Sequence, residues 1–272
     1  MIKSNFLLKK LKIDEKEFIT SEELKRYCKS MSLNYEITIR HLVSRGYLIR
    51  IFKGIFYIKS LDETKLGKSK YSNLELVAKG LEFKGIKNWY FGLYTALKFN
   101  NMTHESFSVE YVVNDKLLRS KPINIAGYKY RFIKLAPKLM QFGIIGDNLR
   151  YSDPEKTILD FIYTWRYNGV PREKIILDVS EWAKDISSEK TKKYAVNYPK
   201  TVQEIADTVT ISLIGFSAMA GAVGGGGLGD LGIRYGYQRY NIEILICVVV
   251  ILVGLVQLTQ FVGDRISNRL RK

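Results

Sequence analysis

The chain has 272 residues, enough for one or two domains with a buried core, and a net charge of +16 that is unevenly spread. Before Lys200 stand 36 Lys/Arg against 22 Asp/Glu, a balance of +14, which points to a polyanionic partner, nucleic acid or an anionic membrane surface. Two cysteines (Cys28, Cys247) and two histidines (His41, His104) exclude a disulfide framework and a Cys/His zinc site, and Met1–Lys12 lacks the apolar stretch of a cleavable signal, so the basic half is expected on the cytoplasmic side.

In chain order, the first strong signal is Thr20 followed by Glu23, a capping box in which each side chain satisfies an orphan backbone N–H at a helix start. It predicts a helix over Ser21–Ser30, with Leu24, Tyr27 and Cys28 on one face. A turn at Met31–Leu33 leads to Asn34, which can cap a second helix running to about Arg45, with Ile39, Leu42 and Val43 as its buried stripe. Gly46 suits the C′ position that ends such a helix. Two β-rich runs come next, Tyr47–Phe52 and Ile55–Lys59, separated by a Lys53-Gly54 hairpin tip. Helix, turn, helix and small hairpin is the layout of a winged helix-turn-helix, whose second helix enters the major groove. Asn34, Tyr35, Thr38 and His41 are expected on or near the free face, within reach of base edges. Arg40, Arg45, Arg50 and Lys53 are expected on phosphates, which position the protein without reading sequence. A protein-binding winged helix with a solvated charged face is the alternative reading.

Residues 71–205 predict an α/β-type second domain. Tyr90–Phe99 reads as an apolar helix, and Val109–Asn114, Pro122–Ile125 and Tyr128–Leu135 read as strands, with Gly127 at a turn. Ser152 with Glu155 reads as another capping box, with Pro154 in the first helical turn. The helix it opens should bury Ile158, Leu159 and Ile162. No phosphate-cradling loop or nucleophile motif is present. Asp147, Asp153, Glu155 and Asp160 read as scattered caps or solvated positions, so no catalytic residue, cofactor or metal is expected.

The segments "GYLIRIFKGIFYI", "WYFGLYTALKFNNMTHE" and "YSDPEKTILDFIY", in that order and ending with "YAVNYPKTVQEI", resemble the AbiEi family of antitoxins and transcriptional regulators of type IV toxin–antitoxin systems. The resemblance implies a winged helix on operator DNA, repression of the chain's own operon, and a nucleotidyltransferase toxin antagonised indirectly.

The composition then changes. Between Asp207 and Asp230 lie 22 uncharged residues, seven of them Gly, and Ile244–Val262 is a run of 19 uncharged residues, 14 of them Ile, Leu, Val or Phe. The second run is worth roughly −4 to −8 kcal/mol of insertion free energy before its polar residues are subtracted, and the first is near neutral. Arg265, Arg269, Arg271 and Lys272 favour the cytoplasm, so two spans with Asp230–Glu243 as the outer loop keep both ends inside. The sequence "TISLIGFSAMAGAVGGGGLGDLGIRYGYQRYN", continued by "VQLTQFVGDRI", resembles the end of methionine ABC transporter permeases. That resemblance implies two of their five spans, without the EAA loop that docks on the ATPase.

The expected architecture is therefore an α+β winged helix-turn-helix (1–62), an α/β-type domain (71–205) and an α-helical transmembrane hairpin (206–272). Three functions compete: a membrane-tethered regulator of duplex DNA; a component of a methionine importer, with an ABC ATPase as partner; and a fused chain in which only one half acts.

Overall fold

The computed structural model describes residues 2–67, 69–119, 121–220 and 230–270. The chain forms two compact units, Met1–Ala96 with Glu105–Ser152, and Leu97–His104 with Asp153–Lys272.

The first unit opens with α1 (Ile2–Ile13), β1 (Phe18–Thr20), α2 (Ser21–Ser30), α3 (Tyr35–Ser44), β2 (Leu48–Phe52) and β3 (Ile55–Ile58). The three strands make an antiparallel sheet in the order β1-β3-β2. Leu7 and Leu11 of α1, Leu24 and Cys28 of α2, and Ile39 and Leu42 of α3 close one core over Ile19, Leu48 and Phe56. Full burial of each large side chain there contributes about 1.5–3 kcal/mol. The helix starts obey the expected chemistry: Thr20 and Glu23 exchange both capping-box bonds, and Asn34 accepts the Ile37 N–H. Helix α1 is not among the expected elements; no acidic residue marks its first turn.

Next come α4 (Leu61–Leu66), α5 (Asn73–Phe83), β4 (Trp89–Phe91), α6 (Leu93–Phe99), β5 (Val109–Asn114), β6 (Ile123–Ile125), β7 (Tyr128–Lys134), β8 (Ile144–Ile145) and β9 (Tyr151–Ser152). The strands form a six-stranded mixed sheet, β6-β7-β5-β4-β9-β8, in which β5 runs parallel to β7 from Val109↔Lys129 to Asn114↔Lys134. The expected helix Tyr90–Phe99 is corrected: its first residues are strand β4, with Tyr90 opposite Val113. A strand buried on both faces reads as an unbroken apolar run, so periodicity does not separate it from a buried helix.

The stretch around 62–71 is not a loose linker. Glu63, nearly buried, accepts the Tyr57 hydroxyl at 2.7 Å and the backbone N–H of Lys70, while the Lys70 and Tyr71 side chains both donate to Glu17. Helix α5 packs on β2, and Phe52 meets Phe132 of β7 edge-on, 5.6 Å between ring centres. The helical head and the six-stranded sheet thus share one body, and the division expected at 62–71 is not where the compact units part.

The second unit contains α7 (Pro154–Tyr167), α8 (Arg172–Trp182), α9 (Ser188–Ala195), α10 (Lys200–Ala220), a π-helical turn at Gly232–Tyr237, and α11 (Ile242–Leu270). Ser152 is not the cap of α7: it is paired in β9, and Asp153 accepts the Lys156 N–H at 2.9 Å. Val202, Ile205, Ala206 and Val209 are buried at helical spacing along α10, which packs on α7, α8 and α9. The expected boundary at 205/206 therefore falls inside a continuous helix, because the apolar period crosses it and no Pro or Gly interrupts it before Gly215. The π-helical turn approaches α11 through Gly232 and Gly236; a Cβ at either would stand 3.1 Å from Val248 Cγ1 or 3.0 Å from Leu245. Among the described residues no helix is long and apolar enough to cross a membrane. The uncharged stretch expected as the first span, between Asp207 and Asp230, lies partly outside those residues, as do several side chains of Ile244–Val262 and the cations beyond it.

Candidate nucleic-acid interface

Helices α2 and α3 meet across Met31–Leu33, where Ser32 adopts φ +54° and the Leu33 N–H donates to the Cys28 carbonyl at 2.8 Å. This turn and the buried Leu24–Cys28 and Ile39–Leu42 pairs fix which side of α3 looks outward. Glu36, Ile37, Arg40 and Ser44 are exposed there, and His41 is half-buried.

The eight expected contact residues separate into two groups. Asn34, Arg40, Arg45, Arg50 and Lys53 are exposed, on the cap of α3, its outer side, its C-terminal end, strand β2 and the hairpin tip. Thr38, Tyr35 and His41 do not behave as expected. Thr38 is only 7% exposed, because it lies one residue before Ile39 on the inward side. Tyr35 folds back onto α2: its hydroxyl donates to Ser21 Oγ at 3.0 Å, and the Lys25 ammonium stands over its ring at 5.6 Å. The Nδ1 atom of His41 is enclosed and makes no hydrogen bond. Asn34 is exposed, but its Oδ1 is committed to the cap.

The hairpin is less free than a projecting wing. Strand β3 is buried along its length, and the tip is drawn to the start of α2, where the Ser21 N–H donates to the Gly54 carbonyl at 2.8 Å. Gly54 has φ +82°, a conformation glycine adopts without strain. The Arg50 guanidinium lies over the Phe56 ring at 5.3 Å; that stacking fixes the side chain and leaves its charge exposed. Arg40, Arg45, Arg50 and Lys53 are thus four exposed cations distributed over α3 and the hairpin.

Ile37 is not among the expected contacts. An apolar residue three positions after a cap is ordinarily assigned to a buried stripe, and only the rotation of α3 about its axis shows that it faces outward.

A second constellation lies in the other unit: Asp153 is a helix cap, as expected, whereas Glu155 and Asp160, expected at caps or solvated positions, are buried in ion pairs. Lys156 and Asp160 are both fully buried, with Lys156 Nζ 3.5 Å from Asp160 Oδ1 and 3.2 Å from the Tyr198 hydroxyl, which itself donates to Asp160 at 2.7 Å. Asp153 accepts the Tyr194 hydroxyl at 3.1 Å, and Lys190 bridges Asp153 and Glu155 at 2.9 and 2.8 Å. Burial pushes the Lys156 ammonium below the ordinary lysine range, against the opposing pull of Asp160, and raises the Tyr198 hydroxyl. Burial alone would raise the Glu155 carboxyl, but Lys190 and the Ser187 N–H hold it below the usual carboxylate range. A catalytic acid or base must reach a substrate; the Lys156–Asp160 pair has no exposed surface and reads as a structural knot. No group of three or more His, Cys, Asp or Glu side chains suited to a metal occurs among the described residues.

No protein-family profile matches the chain. A stretch of 74 residues, 26% of the chain, is 50% identical to the probable D-methionine transport system permease protein MetI of Vibrio cholerae, covering 33% of that protein. A stretch of 82 residues, 29% of the chain, is 35% identical to the methionine import system permease protein MetP of Bacillus subtilis, covering 37% of it. The chain thus spans about a third of the length of these curated relatives. Among solved structures, the RV2827C protein from Mycobacterium tuberculosis is similar with a TM-score of 0.49 and 14% identity, over 78% of each chain.

Proposed function

We propose that the chain is a DNA-binding regulator attached to the membrane: a winged helix-turn-helix head resembling AbiEi antitoxins, carried with a tail of permease-like helices. The observation that carries the first half is the capped pair α2–α3 with Arg40, Arg45, Arg50 and Lys53 exposed around it. A duplex is the partner that matches four exposed cations on an outward helix and the hairpin beside it. The operator is that of its own gene, and a nucleotidyltransferase toxin is the counterpart the AbiEi resemblance implies. For the tail, the identity to methionine permeases is joined by a physical observation. Ile246, Val249, Val250, Ile251 and Val253 of α11 are all exposed, and lipid is the surrounding that removes this cost.

The test is binding of the detergent-solubilised full chain to duplex DNA across a salt series. Four phosphate contacts give a slope of log affinity against log salt of about −4. Arg45→Ala and Lys53→Ala should each weaken binding to all sequences and flatten the slope by about one. Salt-independent binding, or none to the DNA preceding its own gene, overturns the reading.

The identity to permeases also favours a second reading, a component of a methionine importer working with an ABC ATPase. Expression in a methionine-uptake mutant that retains the ATPase and binding protein separates the two. A regulator restores no uptake, and uptake above the empty-vector control supports the importer.

A further inference from the structure

Ile37 is 69% exposed, and it stands on the side of α3 opposite the buried Thr38, Ile39 and Leu42. It is the third residue of the helix, and its own N–H is the one bound by the Asn34 cap at 3.1 Å. The backbone beneath it is therefore pinned. A β-branched side chain is also stiff at χ1, so this position presents a fixed apolar surface. The other exposed residues of α3 are polar or charged: Glu36, Arg40 and Ser44.

We propose that Ile37 is a specificity residue that packs against the 5-methyl group of a thymine in the major groove. This rests on the DNA-binding reading of the head. In helix-turn-helix proteins the N-terminal residues of the second helix contact base edges, and Ile37 is at that end. The thymine methyl is the apolar feature of the major-groove edge, and cytosine offers an amino donor where thymine offers a carbonyl acceptor. An apolar side chain has little to gain from the polar edges of the other bases. Arg40, one turn further on, is the neighbouring donor for a phosphate or a guanine.

The experiment starts from a duplex enriched from a random pool by the full-length chain in detergent. Each thymine of that duplex is then replaced, one at a time, by deoxyuridine, which removes only the methyl. At one position or more, wild-type affinity should fall about fourfold, the value of one buried methyl-sized group. Ile37→Ala should bind the thymine duplex more weakly and be indifferent to deoxyuridine at that same position, while Ile37→Val keeps the sensitivity. Both variants should melt with the parent, since the side chain is exposed. Equal deoxyuridine sensitivity in wild type and Ile37→Ala, or none in wild type, overturns the assignment while leaving DNA binding intact. Failure to enrich any duplex overturns the DNA-binding reading and the assignment together.

Discussion

Lysine is almost never fully buried without a partner, and Lys156 meets that condition through Asp160 and Tyr198. Removing one member of such a pair leaves the other charge in a poorly solvating interior. Lys156→Met should therefore destabilise the chain by about 3–5 kcal/mol, and Tyr198→Phe by about 1–3 kcal/mol, read as a shift in the chemical denaturation midpoint. Lys156→Met combined with Asp160→Leu and Tyr198→Phe should recover much of the loss, since apolar side chains of similar volume are often as stable as the buried ions they replace. A triple variant no better than Lys156→Met alone would refute that account. The nearby Glu155 sets an acid limit. Its folded-state pKa lies below the unfolded value of about 4.3, so its stabilisation is present above that value and is lost as pH falls through the folded one. Denaturation midpoints measured from pH 6 down to pH 3 should fall, and Lys190→Met should flatten that limb.

At the level of elements, one contact decides how the hairpin sits on α5. A Cβ on Gly80 of α5 would stand 2.5 Å from Ile51 Cγ2 and 3.1 Å from the Phe52 ring, and Ile51 is itself buried. Gly80→Ala should therefore cost about 1–3 kcal/mol by overpacking, measured by thermal or chemical unfolding, whereas Asn34→Ala should cost about 1 kcal/mol through loss of the α3 cap. The elements legible in the sequence are those with local punctuation. Thr20, Asn34, Gly46 and Gly54 mark α2, α3 and the hairpin, and Gly127 marks the β6–β7 turn. Where punctuation is weak or doubled, sequence and structure part. Helix α1 has no acidic residue in its first turn, and β4 is buried along its length. Ser152 and Asp153 are adjacent residues either of which can cap a helix, so the start of α7 differs from its expected place by one. Side-chain facing is less legible still. Thr38, expected on the free face, points inward, and Ile37 points outward; the rotation of α3 that decides this is set by its packing on α2 and β2, and caps alone do not specify it.

For the whole molecule, a regulator held on a membrane by two crossings has a defined sidedness. The chain should sediment with membranes, and single cysteines at Gln238 and Asn268, in a Cys28- and Cys247-free background, should report the sides they face. Labelling of position 238 but not 268 by an impermeant reagent in intact cells fits two crossings. The reverse pattern means one crossing, and recovery in the soluble fraction rejects insertion. The units of the molecule are not legible in composition, because α10 carries the period of a core helix across the place where the composition changes. The seating of Phe52 on Phe132 and of α5 on β2 has a mechanical corollary. With α3, the hairpin and the six-stranded sheet in one compact unit, the surface proposed to grip a duplex is packed onto that sheet through β2. Torque from a bound, supercoiled duplex would be passed rigidly to that sheet, and a head excised at residue 62 would tear open its own wall.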